Sequence, residues 1–422
     1  MNQSIVKGQI FYSTGPNAWK SMENGYLVCK DGFSQGVFSE IPQEYASYPL
    51  RDYGNQLIIP GLVDLHLHAP QFSFRGLGMD LELLDWLNTH TFPEEARYQD
   101  PAYARAAYGC FVDALKRSFT TRAAIFATAH TQSTLLLMEL LEETGLITCV
   151  GRVNMDRLGP DNLRESGVEL SMAETRRWLE SCRHLTRTKP ILTPRFVPAC
   201  SGPLLEELGK LAHEAGLPVQ SHLSENSEEI RLVRSLHPES SCYGGIYDRF
   251  GLLDAPGGCI MAHCVHSSGE ELALLKEQGV YIAHSPESNL NLRSGVAPVS
   301  RYLDLGLRVG LASDVAGGST LDMMRTMGYA IGAGKLRWRL LDQSVQPLNF
   351  NQAFYMATLG GGSFFGKVGS FEPGYALDAL VLDDSIFPTV LDLSIHDRVE
   401  RLAYVADDRC ISAKFVAGRK IK

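Results

Sequence analysis

The chain has 422 residues, of which 45% are hydrophobic and 21% charged, and a formal net charge of −9. This length can hold one large domain plus a smaller one, and the acidic balance, without a basic arm, argues against a nucleic-acid partner. Nine cysteines are scattered with no CxxC pair, which favours reduced thiols in a cytoplasmic protein. The amino-terminal segment lacks the apolar core of a signal peptide, and the sequence has no apolar run of about 18 residues that would predict a membrane span.

Both ends of the chain carry short segments that alternate between apolar and polar residues, which is typical of β-strands. The predicted strands are Ile5–Tyr12, Tyr26–Lys30, Gly36–Phe38 and Asn55–Ile59 at one end, and Ala379–Leu382 and Lys414–Ala417 at the other. We therefore expect residues 1–58 and 369–422 to form the two parts of one small β-sandwich domain.

Residues 59–368 between these ends show a different pattern, in which eight short apolar segments alternate with sequence of helical character. The segments are Gly61–His66, Thr121–Phe126, Ile147–Val153, Ile191–Phe196, Val219–His222, Ile260–His263, Tyr281–His284 and Val309–Asp314. Between two of them, Leu204–Gly216 has the spacing of an amphipathic helix and ends in glycine. Strands that alternate with helices predict a parallel sheet, and eight repeats predict an α/β fold with a (β/α)8 TIM-like barrel.

Titratable residues stand at the carboxyl ends of five of these predicted strands, which is where a barrel of this kind holds its active site. The first strand ends in His66 and His68, whose i, i+2 spacing points both imidazoles to the same face. The other four ends carry His222 with Glu225, His263, His284 and Asp314.

We interpret His66, His68 and His222 as nitrogen ligands of a divalent metal and Asp314 as its carboxylate ligand. Zn²⁺ is the first expectation for such a set, with Fe²⁺ or Mn²⁺ as alternatives, and the metal would lower the pKa of a bound water. Glu225 is either a proton shuttle or a cap of the helix predicted from Ser227.

Two further histidines stand at predicted strand ends without a place among these four ligands. His263 is a candidate to hydrogen-bond the attacking water or a tetrahedral intermediate. His284 is either a structural residue or one that supports a ligand.

Taken together, these motifs resemble the amidohydrolase superfamily: PGLVDLHLH, SHLSE, MAHC, AHSPESN, ASD and the closing FEPGYALDALVLDD. The resemblance implies a metal-dependent hydrolase. The predicted fourth strand, ILTPRF, carries no lysine that could be carbamylated to bridge two metals, so we expect one metal per chain.

Within that superfamily the chain resembles the guanine deaminases, most specifically in HAPQ (68–71) and TPRF (193–196). The resemblance implies that Gln71, Arg195 and Phe196 contact the purine together with His263. It further implies that Glu225, Asp314 and His263 are catalytic in the conversion of guanine to xanthine and ammonia, in purine catabolism or salvage, and that the enzyme is a homodimer. SFTTR (118–122) lacks the usual glycine before its threonines, and SPESN (285–289) has Ser and Glu where Cys or another small polar residue often stands.

Two alternative hypotheses about the function remain open. A mononuclear amidohydrolase that deaminates a pterin, a triazine or a pyrimidine would share the metal ligands and differ at the three purine contacts. A catalytically inactive barrel scaffold would be expected to lose at least one ligand or Glu225, since a fold alone does not establish an activity.

Overall fold

The computed structural model describes residues 3–422 of the chain. The strands in this range are β1 (Gln3–Gly15), β2 (Ala18–Lys30), β3 (Phe33–Phe38), β4 (Leu50–Pro60), β5 (Leu62–His68), β6 (Thr120–Phe126), β7 (Ile147–Gly151), β8 (Val153–Asn154), β9 (Thr188–Pro190), β10 (Thr193–Pro194), β11 (Val219–Leu223), β12 (Cys259–His263), β13 (Tyr281–His284), β14 (Arg308–Leu311), β15 (Ala379–Leu382), β16 (Ile411–Val416) and β17 (Arg419–Lys420).

The α-helices lie mostly between the strands of the middle region. They are α1 (Leu83–Trp86), α2 (Phe92–Ala96), α3 (Pro101–Arg117), α4 (Thr131–Thr144), α5 (Val168–Ser181), α6 (Gly202–Ala215), α7 (Ser227–Leu236), α8 (Gly244–Arg249), α9 (Gly269–Glu277), α10 (Pro286–Asn291), α11 (Val299–Asp304), α12 (Met323–Leu340), α13 (Phe350–Tyr355) and α14 (Ile395–Val405). No helix of the described residues is both long enough and apolar enough to cross a bilayer.

The strands from the two ends of the chain join in one seven-stranded sheet with the order β17-β16-β15-β4-β1-β2-β3. Within it β1 and β4 are parallel, and the other neighbouring strands are antiparallel. An apolar cluster that includes Val6, Ile10, Leu27, Ile58 and Phe415 is buried against this sheet. The two chain ends therefore form one small β unit, as the sequence predicts, and its strands share a continuous hydrogen-bonded sheet.

The middle region forms two four-stranded parallel sheets, β5-β6-β7-β9 and β11-β12-β13-β14. On one side the sheets meet where Leu192 pairs with Val219. On the other side the chain closes because Asp314 N donates to His66 O at 2.9 Å and His68 N donates to Val315 O at 2.8 Å. This arrangement, with helices between the strands, confirms the predicted TIM-like barrel.

Three barrel strands differ in extent from the prediction. Within the predicted fourth strand, Ile191–Phe196, only Thr193 and Pro194 form a strand, β10, and the short strand β9 ends at Pro190, just before the predicted range. Proline has no N–H to donate to a ladder, so regular pairing is interrupted here. The third ends at Gly151 and resumes as β8. The eighth ends at Leu311, and the chain then turns so that Asp314 adopts a left-handed conformation with φ +47°.

The helix predicted over Leu204–Gly216 is α6, and its two ends have clear local causes. Ser201 Oγ accepts from Leu204 N at the start, and Gly216, with φ +63°, ends the helix in the left-handed region. Its apolar face, including Leu204, Leu208 and Leu211, is buried in the main core.

Candidate active site

The two histidines of the first barrel strand lie side by side at its carboxyl end. Every residue of β5 is buried, and the i, i+2 spacing brings both ring Nε2 atoms to the same carboxylate. Asp314 Oδ1 is 3.1 Å from His66 Nε2 and 3.4 Å from His68 Nε2. Asp314 has a left-handed backbone conformation, and its backbone N–H donates to His66 O, which holds the ends of these two strands together.

His222 joins this group from β11, the fifth barrel strand in sequence. Its Nδ1 is 2.6 Å from the carbonyl oxygen of Arg195, and its Nε2 is 3.2 Å from His68 Nε2. A carbonyl oxygen only accepts, so the Nδ1 of His222 carries the proton and its Nε2 presents a lone pair to the cluster.

These donors fit a divalent cation, because buried nitrogens converge there without adequate partners in the protein. Neither ring nitrogen of His66 has a hydrogen bond of good geometry, and neither has His68 Nδ1. Burial lowers the pKa of His66, His68 and His222, which favours the neutral imidazole, the form that binds metals. Burial alone would raise the pKa of Asp314, but the neighbouring histidines, His66 first, hold it well below its usual range.

Glu225 and His263 face each other beside this cluster. Glu225 Oε2 is 3.4 Å from His263 Nε2, which is also 3.7 Å from Asp314 Oδ2. Burial raises the pKa of Glu225 to about 7, so the carboxyl group can both donate and accept a proton near neutral pH.

Each of these two side chains is held by a residue that the sequence patterns did not single out. Ser294 Oγ donates to Glu225 Oε1 at 3.2 Å, and His263 Nδ1 lies 2.9 Å from Asn289 Oδ1. Such bonds fix a side chain through partners far along the chain, so no local spacing predicts them.

The alternative role of Glu225 as a helix cap is wrong. Helix α7 does begin at Ser227, but its cap is Asn226, which forms a reciprocal capping box with Glu229. Glu229 also accepts a hydrogen bond from the backbone N–H of Glu225 at 3.0 Å. The side chain of Glu225 is therefore free of capping and faces His263.

The three residues expected to contact the purine border the same cavity as His68, His222 and Asp314. Gln71 follows His68 in a short 3₁₀ helix, and Arg195 and Phe196 follow β10. Arg195 Nη1 and Nη2 donate to Glu95 Oε2 and Oε1 at 2.6 and 3.1 Å, and Gln71 Nε2 donates to Glu95 Oε1 at 2.9 Å. No sequence pattern singles out Glu95, because nothing in its local sequence distinguishes it from the adjacent Glu94.

Three members of the cluster, His68, His222 and Asp314, border one cavity together with the three predicted purine contacts. Apolar side chains from segment 83–87 and Leu292 form much of its remaining wall. The lining residues are His68, Gln71, Leu83, Trp86, Leu87, Arg195, Phe196, His222, Glu225, His263, Leu292, Asp314 and Gly317.

His284 is at a strand end but borders a different cavity, beside α12. Its Nδ1 is buried without a partner, and burial lowers its pKa to about 3, so the ring is neutral. Among the described residues, the groups whose ligand atoms lie close enough to share a cation do not include it.

Comparison with known proteins shows what this arrangement is similar to. The amidohydrolase family profile matches residues 57–421. A guanine deaminase of Dictyostelium discoideum is 37% identical over 382 residues, which are 88% of this chain and 84% of that protein. A guanine deaminase of Escherichia coli K12 is 34% identical over 96% of this chain and 92% of its own length. The solved structure of a guanine deaminase from C. acetobutylicum, with guanine bound in its active site, superimposes with a TM-score of 0.96 at 45% identity and covers 100% of both chains.

Proposed function

Because this chain belongs to the amidohydrolase family, we propose that it hydrolyses the C2 amine of guanine to give xanthine and ammonia. It is a hydrolytic guanine deaminase, as are the relatives it matches over most of their length. The observation that carries the proposal is one cavity bordered both by His68, His222 and Asp314 of the cluster and by Gln71, Arg195 and Phe196.

His66, His68, His222 and Asp314 would hold one divalent metal. Support comes from the convergent, neutral imidazoles and the low pKa of the Asp314 carboxyl group. When bound there, the metal would make a water molecule acidic enough to supply hydroxide near neutral pH. We propose Zn²⁺, with Fe²⁺ or Mn²⁺ as alternatives, since a donor set of nitrogen and carboxylate oxygen accepts all three.

The carboxyl groups of Glu225 and Asp314 move the protons of the reaction. Asp314 accepts a proton from the attacking water, while Glu225 protonates ring N3 as the new C–O bond forms at C2. Glu225 then takes the proton of the hydroxyl group at C2 and gives it to the departing amine, so that C2=O forms as the C2–N bond breaks to release ammonia. The proton held by Asp314 then returns to Glu225. The pKa of about 7 at Glu225 suits a group that must both give and take protons. His263, 3.4 Å from Glu225, would hydrogen-bond the oxygen that adds to C2.

Gln71, Arg195 and Phe196 orient the base so that C2 faces these groups. Arg195 keeps three of its five N–H donors after its two bonds to Glu95, and it would donate to the O6 acceptor of guanine. The amide of Gln71 can donate and accept at the ring edge, and the ring of Phe196 would form a wall against the flat base.

We further propose that the enzyme is a cytoplasmic homodimer in purine catabolism or salvage, with one metal per chain and no nucleic-acid or membrane partner. The acidic net charge and the absence of any disulfide within residues 3–422 support this setting. The proposed domains are residues 59–368 for the barrel and residues 1–58 with 369–422 for the small β domain.

The experiment is a substrate panel with ammonia release and product identification. Guanine should give stoichiometric xanthine and ammonia, whereas adenine, pterins, triazines and pyrimidines should be turned over far more slowly. A pterin or triazine that reacts faster than guanine would replace this function with another amidohydrolase activity. No turnover of any compound by the metal-loaded protein would support an inactive scaffold.

A further inference from the structure

One buried carboxylate joins the two side chains that are expected to read the edge of the base. Glu95 is 1% exposed and lies in α2, outside the barrel strands. Its Oε2 accepts from Arg195 Nη1 at 2.6 Å, and its Oε1 accepts from both Arg195 Nη2 at 3.1 Å and Gln71 Nε2 at 2.9 Å. A single oxygen of Glu95 therefore ties Arg195 to Gln71.

The bidentate pair fixes the plane of the Arg195 guanidinium. Two parallel N–H···O bonds leave the fork little freedom to rotate, and Phe92, from the same helix as Glu95, lies under the guanidinium with its ring centroid 5.0 Å away. The N–H groups that Glu95 does not use are thereby held in one direction.

The same carboxylate fixes which end of the Gln71 amide is nitrogen. A carboxylate only accepts and a backbone N–H only donates, so Glu95 must face the NH₂ end of the amide. At the other end, Ala316 N donates to Gln71 Oε1 at 3.3 Å. The pattern of donors and acceptors that Gln71 offers is set by these two fixed partners.

We propose that Glu95 is a positioning residue that sets the hydrogen-bond pattern read from the purine, through Arg195 and Gln71 together. The inference rests on the proposed function and extends it to a residue that does not itself border the cavity. Glu95 also balances the buried positive charge of Arg195, so Arg195 favours a neutral oxo group of the base, such as O6.

The adjacent residue, Glu94, provides a matched control. It is also buried and in α2, but its carboxylate accepts from Arg97 Nη1 at 3.0 Å and from the Tyr103 hydroxyl. Its carboxylate has no hydrogen bond with Arg195 or Gln71. Glu94→Gln and Glu95→Gln make the same chemical change at neighbouring positions. Only Glu95→Gln removes the carboxylate that binds Arg195.

The first measurement is kcat/KM for guanine and for 2-aminopurine, which has the same C2 amine but no O6. In Glu95→Gln the new amide NH₂ group faces an N–H of the Arg195 guanidinium, so the bidentate pair is lost and the guanidinium is no longer held in one orientation. We expect the preference for guanine to fall by about tenfold or more, as for the loss of a charge-assisted hydrogen bond. Glu94→Gln should keep the wild-type preference, and Glu95→Asp, which keeps the charge, should recover part of it. An unchanged preference in Glu95→Gln with normal metal content would overturn the proposal.

A double variant keeps the test decisive if Glu95→Gln folds poorly because Arg195 is left as an unpaired buried charge. Glu95→Gln combined with Arg195→Met removes both charges. If Glu95 reads O6 only through Arg195, this protein should show the same guanine preference as Arg195→Met alone. A further fall is expected only as far as Gln71 also loses its partner, so the lower limit is the preference of Arg195→Met combined with Gln71→Met. A preference below that limit would mean that Glu95 acts on the substrate independently of both side chains, contrary to the proposal.

Binding of hypoxanthine and purine separates failure of this inference from failure of the proposed function. Hypoxanthine has O6 but no C2 amine, and purine has neither, so calorimetry measures reading of O6 without turnover. Wild type and Glu94→Gln should bind hypoxanthine more tightly than purine, and Glu95→Gln should lose that difference. If wild type turns over guanine but the proteins do not show this binding pattern, the role of Glu95 is rejected and the proposed activity is kept. If the binding pattern is found but guanine is not turned over, the proposed activity is rejected and the role of Glu95 is kept.

Discussion

The candidate metal ligands and the side chains proposed to bind the edge of the base lie around the same cavity but are held in place in different ways. His66, His68 and His222 project from regular barrel strands, and Asp314 follows the last strand after a short turn. Gln71 and Arg195 follow their strands in irregular segments and are tied to Glu95, which is 24 and 100 residues away along the chain. The first group relies on the rigid barrel for its geometry, whereas the second relies on hydrogen bonds between side chains.

The two regions also differ in how their charges are balanced. In the base-reading region the guanidinium of Arg195 has a carboxylate partner within the protein. In the cluster, neutral imidazoles converge on one carboxylate and buried ring nitrogens are left without hydrogen bonds. One region is electrically complete as folded, and the other requires a cation. This difference predicts which changes abolish activity and which only alter the choice of substrate.

Removal of the metal should have the largest effect. The purified protein should carry about one metal per chain, and its extraction with a chelator should abolish turnover and lower Tm, since binding to the folded state alone stabilises it. Elemental analysis and thermal unfolding before and after readdition of Zn²⁺ provide the measurement. Two tightly bound metals per active chain would contradict the mononuclear assignment.

Glu225→Gln should have the second largest effect. Turnover should fall by about 10²–10⁴-fold or more, because one proton-transfer group typically contributes that much and Glu225 makes more than one transfer. Metal content should be unchanged, since Glu225 is not an expected ligand. Glu228→Gln, an exposed carboxylate in α7, is the control and should retain the wild-type rate. A near-normal rate in Glu225→Gln would assign the proton transfers to another group.

The same difference explains how much could be predicted from the sequence. The metal-site candidates were found because strand periodicity acts over a few residues: His66 and His68 share a face, and His222 and Asp314 end or follow apolar runs. The barrel itself was predicted from the same signal. The irregularity of the fourth strand was not, because Pro194 lies within, and Pro190 just before, a run that resembles a regular strand.

Residues that act through long-range contacts were out of reach of such reasoning. Gln71, Arg195 and Phe196 were identified only through a family resemblance, and Glu95, Asn289 and Ser294 not at all. Their roles depend on partners that the fold brings together from distant parts of the chain. A buried glutamate next to a nearly identical neighbour, as Glu95 is next to Glu94, carries no local pattern that separates the two.

Arg195→Met should change substrate preference more than it changes the chemistry. Loss of the charge-assisted bond to O6 should cost guanine about 1.5–3 kcal/mol of transition-state binding, roughly 10- to 150-fold in kcat/KM, and should affect 2-aminopurine much less. Adenine should remain poor in both proteins, because its amine is at C6 and not at C2. Retention of the wild-type preference for guanine in Arg195→Met would show that another group reads O6.

Phe196→Leu should have the smallest effect, and it tests whether the wall of the base-reading region is separate from its hydrogen-bonding edge. Phe196 is 7% exposed and borders the cavity, and leucine keeps an apolar surface there while removing the flat ring. A favourable aromatic contact contributes about 0.5–1.5 kcal/mol beyond burial, so KM for guanine should rise roughly 2- to 12-fold. Turnover at saturation should hardly change, because Phe196 handles no proton. The ratio of guanine to 2-aminopurine should also stay at the wild-type value, because both bases present the same flat face. Steady-state kinetics on both substrates provides the measurement, with Arg195→Met as the contrasting variant. If Phe196→Leu lowered the ratio of guanine to 2-aminopurine as Arg195→Met is expected to, the Phe196 ring would be holding Arg195 in place. Stacking by Phe196 and hydrogen bonding by Arg195 would then not be separable.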